Sequence, residues 1–293
     1  MNEKGSITFP GRIGLQQRVL PTYRVQFFDA LAMACQGGLS VFAGLPRPEE
    51  AITTTTHLEV ARFVKARNRH FLEASSPLYL CWQGGLSGWV KEWQPDVLIV
   101  EANPRYPSTR LAVRWMKRRH RPVIGWGLGA PGADNVSSGG MTHRLQSWER
   151  MNFLHSLDGL IAYSRRGAEE YKSLGYPAER LMVAPNAVSP RSMVTLPERS
   201  NDYKGQPCVL FIGRLLERKR IDNLIRACAG LPPDLQPRLL IVGEGPAGEG
   251  LKALAREIYP RAEFVGSRHG AQLEPYFASA DLFVLPGMGG LAV

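Results

Sequence analysis

The chain has 293 residues, 44% of them hydrophobic and 21% charged, with a net charge of +10. This length exceeds what one hydrophobic core usually serves, so two domains are expected, and the composition is that of a soluble globular protein. No run approaches the ~20 apolar residues of a membrane helix, and the opening MNEKGSITFPGRIG lacks the apolar stretch of a secretory signal, so a cytoplasmic protein is expected.

In chain order, short β-like runs alternate with helix-like stretches. The first half offers strands at 13–19, 39–43, 78–82, 97–101, 123–126, 159–162 and 181–184, and helices at 24–35, 58–73, 110–119, 143–157 and 167–174. Residues 189–206, with Pro190, Pro197 and no sustained period, read as a linker. After it the alternation restarts: strand 208–212, helix 221–229, strand 238–242, helix 248–258, strand 262–265, helix 272–279 and strand 282–285. Buried strands alternating with helices predict doubly wound parallel sheets in two domains, 1–188 and 207–293. Ligands of such sheets bind beyond the carboxyl ends of the strands, here in a cleft between domains.

The charge is uneven. Up to Ala184 there are 23 Lys and Arg against 15 Asp and Glu; from Pro185 on, 13 against 11. The basic first half suits an anionic partner. With no recognisable nucleic-acid motif, nucleic acid is not the expected one. The four cysteines (Cys35, Cys81, Cys208, Cys228) are scattered and read as reduced, partly buried thiols. The six histidines show no zinc spacing and no Asp-x-Asp pair occurs, so no metal cofactor is expected.

The most informative segment is VLFIGRLLERKRIDNLIRACAGL, 209–231. A buried strand ends at Gly213, where backbone can approach a ligand closely. Arg214 follows, and Lys219 stands just before a helix that opens near Asp222. Two cations beside a helix N-terminus make a diphosphate site without a metal. On the residues alone, a solvated basic turn is equally good, and Arg218 and Arg220 fit that description.

Gly213-Arg214, then Lys219, then a helix, resemble the family-4 (group 1) glycosyltransferases. Leu239–Pro246, reading LLIVGEGP, Phe264-Val265-Gly266, and 280–286, reading ADLFVLP, are similar to later segments of that family in the same order. The resemblance implies the GT-B fold: two Rossmann-like doubly wound parallel-sheet domains facing across a cleft. It implies that Arg214 and Lys219 grip the donor diphosphate as the catalytic pair. Gly213, Glu244 and Gly245, and the glycine loop of Gly287, Gly289 and Gly290, would complete the donor site. The loop after Pro286 departs from the family form, which carries a glutamate there and a second one seven residues later. The first has no counterpart, and the second would fall just past Val293. A C-terminally truncated chain, its second domain incomplete and its activity in doubt, is therefore expected.

The first half resembles the family more loosely. Residues 13–32 look like its first strand, loop and helix, with Arg18, Pro21, Thr22, Tyr23 and Arg24 in place of the usual double glycine. Thr22 can cap the helix, and Arg18, Tyr23 or Arg24 can meet phosphate or acceptor; a structural salt bridge is as good a reading for either arginine. Gly127 and Gly129 occupy a loop that often lies near the sugar, and packing explains them equally well. No histidine stands there, so no catalytic histidine carries over. Glu101, at a strand end, is a possible acceptor-hydroxyl ligand or base, or equally a capping carboxylate. Gln83 sits at another such end, while Tyr163-Ser164 and Asn186 shape a cleft or turn. The cationic stretch 114–121 could rest on anionic lipid near a lipid-linked acceptor, although a solvated helix end is the plainer reading.

The expected function is transfer of a sugar from a UDP- or GDP-linked donor to an acceptor hydroxyl in polysaccharide, lipopolysaccharide or glycolipid synthesis. By resemblance it is retaining; the cationic grip implies that it is metal-independent. The alternative is a GT-B protein that binds nucleotide sugars without transferring them, an epimerase or a degenerate module.

Overall fold

A computed structural model describes residues 8–50, 52–73, 76, 78–129, 141–185 and 207–287. The expected linker at 189–206, Asn186, Gly289 and Gly290 lie outside these residues. The chain divides into two units: Met1–Arg47 with Ile52–Ala187, and Pro48–Ala51 with Val188–Val293.

In the first unit, β1 (Ile13–Val19) is buried along nearly its whole length. It takes an interior place in a seven-stranded sheet, between β2 (Leu39–Gly44) and β6 (Val97–Glu101). The sheet continues past β2 to β3 (Arg62–Lys65), and past β6 to β7 (Val123–Gly127), β8 (Gly159–Ala162) and β9 (Leu181–Val183), with every pair parallel. Helices α1 (Val25–Met33), α2 (Leu86–Trp93), α3 (Pro107–Lys117), α4 (Met141–His155) and α5 (Arg165–Ser173) alternate with these strands. The main core joins Trp89 and Val90 of α2, Ala112, Val113 and Met116 of α3, Phe153 and Leu154 of α4 and Tyr171 of α5 to Leu98, Val100, Val123 and Leu160 of the sheet. Trp89 stacks on Phe42 at 5.1 Å between centroids, and its indole N–H donates to Ser40 Oγ at 2.9 Å. The polar edge of a buried tryptophan is thus satisfied.

The structure corrects three local expectations. Residues 58–73 are not a helix: β3 extends the parallel sheet, and β4 (Arg67–Phe71) pairs antiparallel with β5 (Leu80–Gly84). The apolar spacing of Leu58, Ala61 and Val64 mimics a helical stripe, but pairing with β2 and β5 satisfies this backbone instead. Conversely, α2 is a helix that the sequence pattern does not announce. Its apolar residues Leu86, Trp89, Val90 and Trp93 follow helical spacing, but it is one short run between Gly85 (φ +92°) and Gln94 (φ +52°), with Pro95 beyond. Finally, Thr22 does not cap α1: it lies in the 3-10 turn Thr22–Arg24, and Arg24 takes the cap position.

Asp29 of α1 ties the loop before β3 to the helix. Its carboxylate accepts the backbone N–H groups of Glu59, Val60 and Ala61 at 3.1, 2.9 and 3.0 Å. Burial pushes its pKa up, but these bonds outweigh burial and hold it below the ordinary value. A carboxylate with a depressed folded pKa contributes stability that is present above the unfolded value, about 3.9. That stability is lost as pH falls through the folded one. Asp29→Asn is therefore expected to cost about 1–3 kcal/mol at neutral pH and to flatten the acid limb of a denaturation series. An unchanged acid limb would contradict this role.

The second unit has a parallel sheet in the order β12–β11–β10–β13: β10 (Cys208–Ile212), β11 (Arg238–Val242), β12 (Ala262–Gly266) and β13 (Leu282–Phe283). Both faces of β10 are covered. Val209 and Phe211 join Leu224 and Ile225 of α6 (Ile221–Ala229) and Leu251 of α7 (Gly248–Ile258). Cys208, Leu210 and Ile212 join Leu240 and Val242, with Tyr276 of α8 (Glu274–Ser279) and Phe283 packed on them. The two-residue period of a strand produces this division, and burial on both faces makes the run continuously apolar. All four cysteines are buried thiols.

Candidate functional site

On the second unit, three loops meet beyond the carboxyl ends of β10, β11 and β13. The Gly213 N–H donates to the Val242 carbonyl at 3.0 Å, and the Leu215 N–H to the Glu244 carbonyl at 2.9 Å. The Leu215 carbonyl accepts the Ala247 N–H at 3.0 Å. The chain leaving β10 therefore stays zipped to the chain leaving β11, with the buried Leu215 as its anchor. The closeness demands glycine. A side chain on Gly243, whose φ is +140°, would overlap the Gly213 carbonyl; one on Gly245 would overlap the Leu215 backbone. A side chain on Gly287 would strike the backbone of Arg218 and Lys219, so the β13 loop joins the same cluster.

Arg214 and Lys219 sit half-buried within this cluster, whereas Arg218 and Arg220 are exposed. Lys219 ends the 3-10 turn Glu217–Lys219, its N–H donating to the Leu216 carbonyl at 2.9 Å. Arg220 then takes a left-handed conformation (φ +52°) and α6 begins. Burial, with Arg218 and Arg214 nearby, pulls the Lys219 ammonium below the ordinary lysine value. This local excess of positive charge suits an anion. The Arg214 guanidinium donates to the Glu50 carbonyl, in a turn grouped with this unit. Arg220 is turned to the helix start, bonding Asn223 Oδ1 at 2.8 Å and pairing with Asp222 at 3.3 Å. The exposed Glu244 carboxylate lies toward the end of β12, where Ser267 N–H approaches it at 3.4 Å. The structure thus brings together Gly213, Arg214, Lys219, Glu244, Gly245 and Gly287.

On the first unit, the residues beyond β1, β6, β7 and β8 form a polar network. Glu101 accepts the Arg18 N–H at 2.9 Å, and its own N–H donates to Gln16 Oε1 at 3.1 Å. Gln16 Nε2 donates to Gln83 Oε1. Gln83 Nε2 in turn reaches the Gln17 carbonyl and Asn68 Oδ1, both at 3.0 Å. Arg24 is only 7% exposed, and Tyr23 beside it is 42% exposed. The Arg24 guanidinium donates to Gln17 Oε1 and, at 2.7 Å, to the Tyr163 hydroxyl. It also stacks over Trp126 with its Cζ 5.1 Å from the ring centroid. Burial lifts the Tyr163 hydroxyl to a pKa of about 12 despite the neighbouring Arg24, so it stays neutral.

Gly127, whose carbonyl accepts the Tyr163 N–H at 3.0 Å, and Gly129 face α5. A side chain on Gly127 would meet the Tyr171 hydroxyl and Ala102; one on Gly129 (φ +116°) would meet Glu170 and Gly167. The Gly129 N–H donates to Tyr171 Oη at 3.2 Å. These glycines are needed for close packing on α5. Ser164 caps α5, accepting the Gly167 N–H at 3.0 Å. The sequence alone assigns no role to Gln16, Gln17, Asn68 or Trp126, and only a shaping one to Tyr163. The available signal was two glutamines and an arginine in succession near the end of an otherwise apolar, buried strand.

Two Rossmann-like units in tandem, the second bearing a cationic glycine-loop cluster at its strand ends, define a protein of the GT-B type. HepE of Anabaena in complex with UDP shares this fold over 96% of this chain and 75% of that one, with a TM-score of 0.62 and 16% identity. The chain belongs to glycosyltransferase family 4: the Glycosyltransferase Family 4 model matches residues 40–192, over half of it, and the Glycosyl transferases group 1 model matches 206–292. It is 34% identical over 147 residues to a GDP-mannose-dependent alpha-mannosyltransferase of Mycobacterium tuberculosis, covering 48% of this chain and 36% of that protein. It is 28% identical over 213 residues to the lipopolysaccharide core biosynthesis glycosyltransferase LpsE of Rhizobium meliloti, covering 68% of this chain and 60% of that protein. The matches thus span between about a third and three fifths of these curated relatives.

Proposed function

We propose that the protein transfers a sugar from a nucleoside diphosphate sugar to an acceptor hydroxyl in polysaccharide, lipopolysaccharide or glycolipid synthesis. The observation that carries this reading is the half-buried pair Arg214 and Lys219, set among backbone loops so close that glycine is required. As the glycosidic bond breaks, charge collects on the leaving diphosphate. Fixed cations and loop N–H groups stabilise that charge more in the transition state than in the ground state. Glu244 and Gly245 would face the nucleoside side of the donor. The cations supply what a metal would otherwise supply, so turnover is metal-independent in this reading; retention of configuration follows from the family resemblance. The mannosyltransferase relative favours a GDP-linked donor, and the UDP-bound HepE a UDP-linked one.

The acceptor side lies on the basic first unit. The end of α3 exposes Arg114, Lys117, Arg118 and Arg119 beside Leu111, which is 41% exposed. This face would rest on an anionic membrane surface when the acceptor is lipid-linked, each cation near such a surface contributing about 1 kcal/mol. Among the described residues no helix is long and apolar enough to cross a membrane. The test is to incubate the protein with labelled GDP-mannose or UDP-glucose and a bacterial glycolipid extract, with and without EDTA. Labelled glycolipid formed equally in both conditions is expected. Label released from neither donor, or transfer abolished by EDTA and restored by a divalent cation, would contradict the reading.

A further inference from the structure

Arg24 is a buried cation with no carboxylate in hydrogen-bond contact among the described residues. Its two hydrogen-bond partners, Gln17 Oε1 and the Tyr163 hydroxyl, are both neutral. The rings of Tyr23, Trp126 and Tyr163 surround it, their centroids 5.9, 5.1 and 5.4 Å from its Cζ. Three buried atoms of this one cluster have no hydrogen-bond partner among the described residues: Arg24 Nε, Gln17 Nε2 and Trp126 Nε1. Their residues are 7%, 2% and 5% exposed. All three atoms are donors. The orientation of the Gln17 amide is fixed chemically: reversing it would set an NH2 group against the Arg24 N–H that it now accepts. Glu101 acts on this charge only electrostatically, without a hydrogen bond to it, and three buried donors left unmet are costly unless an acceptor joins them.

We propose that this cluster, beyond the carboxyl ends of β1, β7 and β8, binds an oxyanion carried by the acceptor, a carboxylate or a phosphate. Such a group accepts at every oxygen, matches the guanidinium charge and needs no donor from the protein. A neutral sugar hydroxyl would satisfy one donor and leave the other two unmet. Tyr23 and Phe27 are the exposed rings of the cluster, 42% and 37% accessible, and Phe27 lies 5.5 Å from Trp126. They are the side chains an arriving ligand would displace. The inference rests on the transferase reading and narrows its acceptor to an anionic glycan or phosphorylated lipid head.

The test titrates glucuronic acid, glucose 6-phosphate, glucose and inorganic phosphate into the 293-residue chain while following the Trp126 indole N–H by NMR. Trp126→Phe assigns that resonance by its loss; it keeps an aromatic ring while removing the donor, so the fold is preserved. Glucuronic acid or glucose 6-phosphate is expected to move the indole signal and to bind at least about tenfold tighter than glucose. Trp126→Phe, read by calorimetry, should weaken that binding about tenfold. Gln17→Glu, which keeps an oxygen for Arg24 while removing the second donor and supplying a negative charge, should weaken it at least as much. Equal binding of glucose, or an unmoved indole signal with every probe, would overturn the proposal. So would inorganic phosphate binding as tightly as either sugar acid, which would make the occupant a free ion. Nucleoside diphosphate binding is measured in parallel. Its retention in Trp126→Phe isolates the acceptor claim, whereas its absence in the unsubstituted chain would sink the transferase reading instead.

Discussion

Gly243→Ala is expected to cost about 2–4 kcal/mol of stability and to abolish nucleotide binding together. Two effects add at this position. The residue has φ +140°, where any Cβ is strained, and that Cβ would run into the Gly213 carbonyl. Strain of this kind costs about 1–3 kcal/mol by itself. Relief requires pushing apart the exits of β10 and β11, which the Gly213–Val242 and Leu215–Glu244 bonds hold together. Those exits also set the position of Arg214, so the loss of stability and the loss of binding share one cause. Gly250→Ala is the matched control: it lies in α7, and nothing stands within 4 Å of the added Cβ. Urea unfolding with a nucleotide titration on each variant measures both effects. A Gly243→Ala protein as stable as the control would refute the close-approach argument.

Lys219 gives the second large effect. Removing a charge-assisted contact to a diphosphate forfeits about 2–4 kcal/mol, or roughly 30- to 1000-fold in affinity. Lys219→Ala is therefore expected to weaken donor binding over that range. The pH dependence supplies a second readout. Burial and the flanking arginines hold the ammonium below the ordinary lysine value, which is about 10.4. Only the charged form attracts the diphosphate. Affinity is thus fully present below the depressed pKa and falls as pH rises through it, earlier than for an unperturbed lysine. Lys219→Arg keeps its charge at every accessible pH and should remove that fall. A wild-type isotherm flat well into the alkaline range would count against Lys219 as a donor ligand.

The second unit was the more legible in sequence, and the reason is physical. Its two central strands are buried on both faces, so 208–212 and 239–242 appear as unbroken apolar runs, and its helices carry clear apolar stripes. The first unit hides more. Arg67–Phe71 reads RNRHF, in which no strand pattern is visible; it forms a strand because β5 supplies its hydrogen-bond partners. Such long-range pairing leaves no local trace. The cationic pair was visible because a cluster built on glycine spacing is written along the chain. The Arg24 cluster was only half visible. Arg24 and Tyr23 stood out in a loop, while Gln17, Trp126 and Tyr163 meet them only when the sheet brings the ends of β1, β7 and β8 to one edge, with β6 between the first two. Gly127 and Gly129 show the converse: a glycine-rich loop at a strand end looks like a ligand contact, and here the room a side chain would need is taken by α5.

The donor grip at Arg214 and Lys219 is tested most directly by the gain in affinity from nucleoside to nucleoside diphosphate. Calorimetric titrations of guanosine, GDP, uridine and UDP would be run on the unsubstituted chain and on the double variant Arg214→Ala/Lys219→Ala. In the unsubstituted chain the diphosphate is expected to add at least about 100-fold to the preferred nucleoside, equal to about 2.7 kcal/mol, and in the double variant that gain should all but vanish while the nucleoside still binds. A diphosphate gain that survives both substitutions would place the donor phosphates elsewhere and contradict the account.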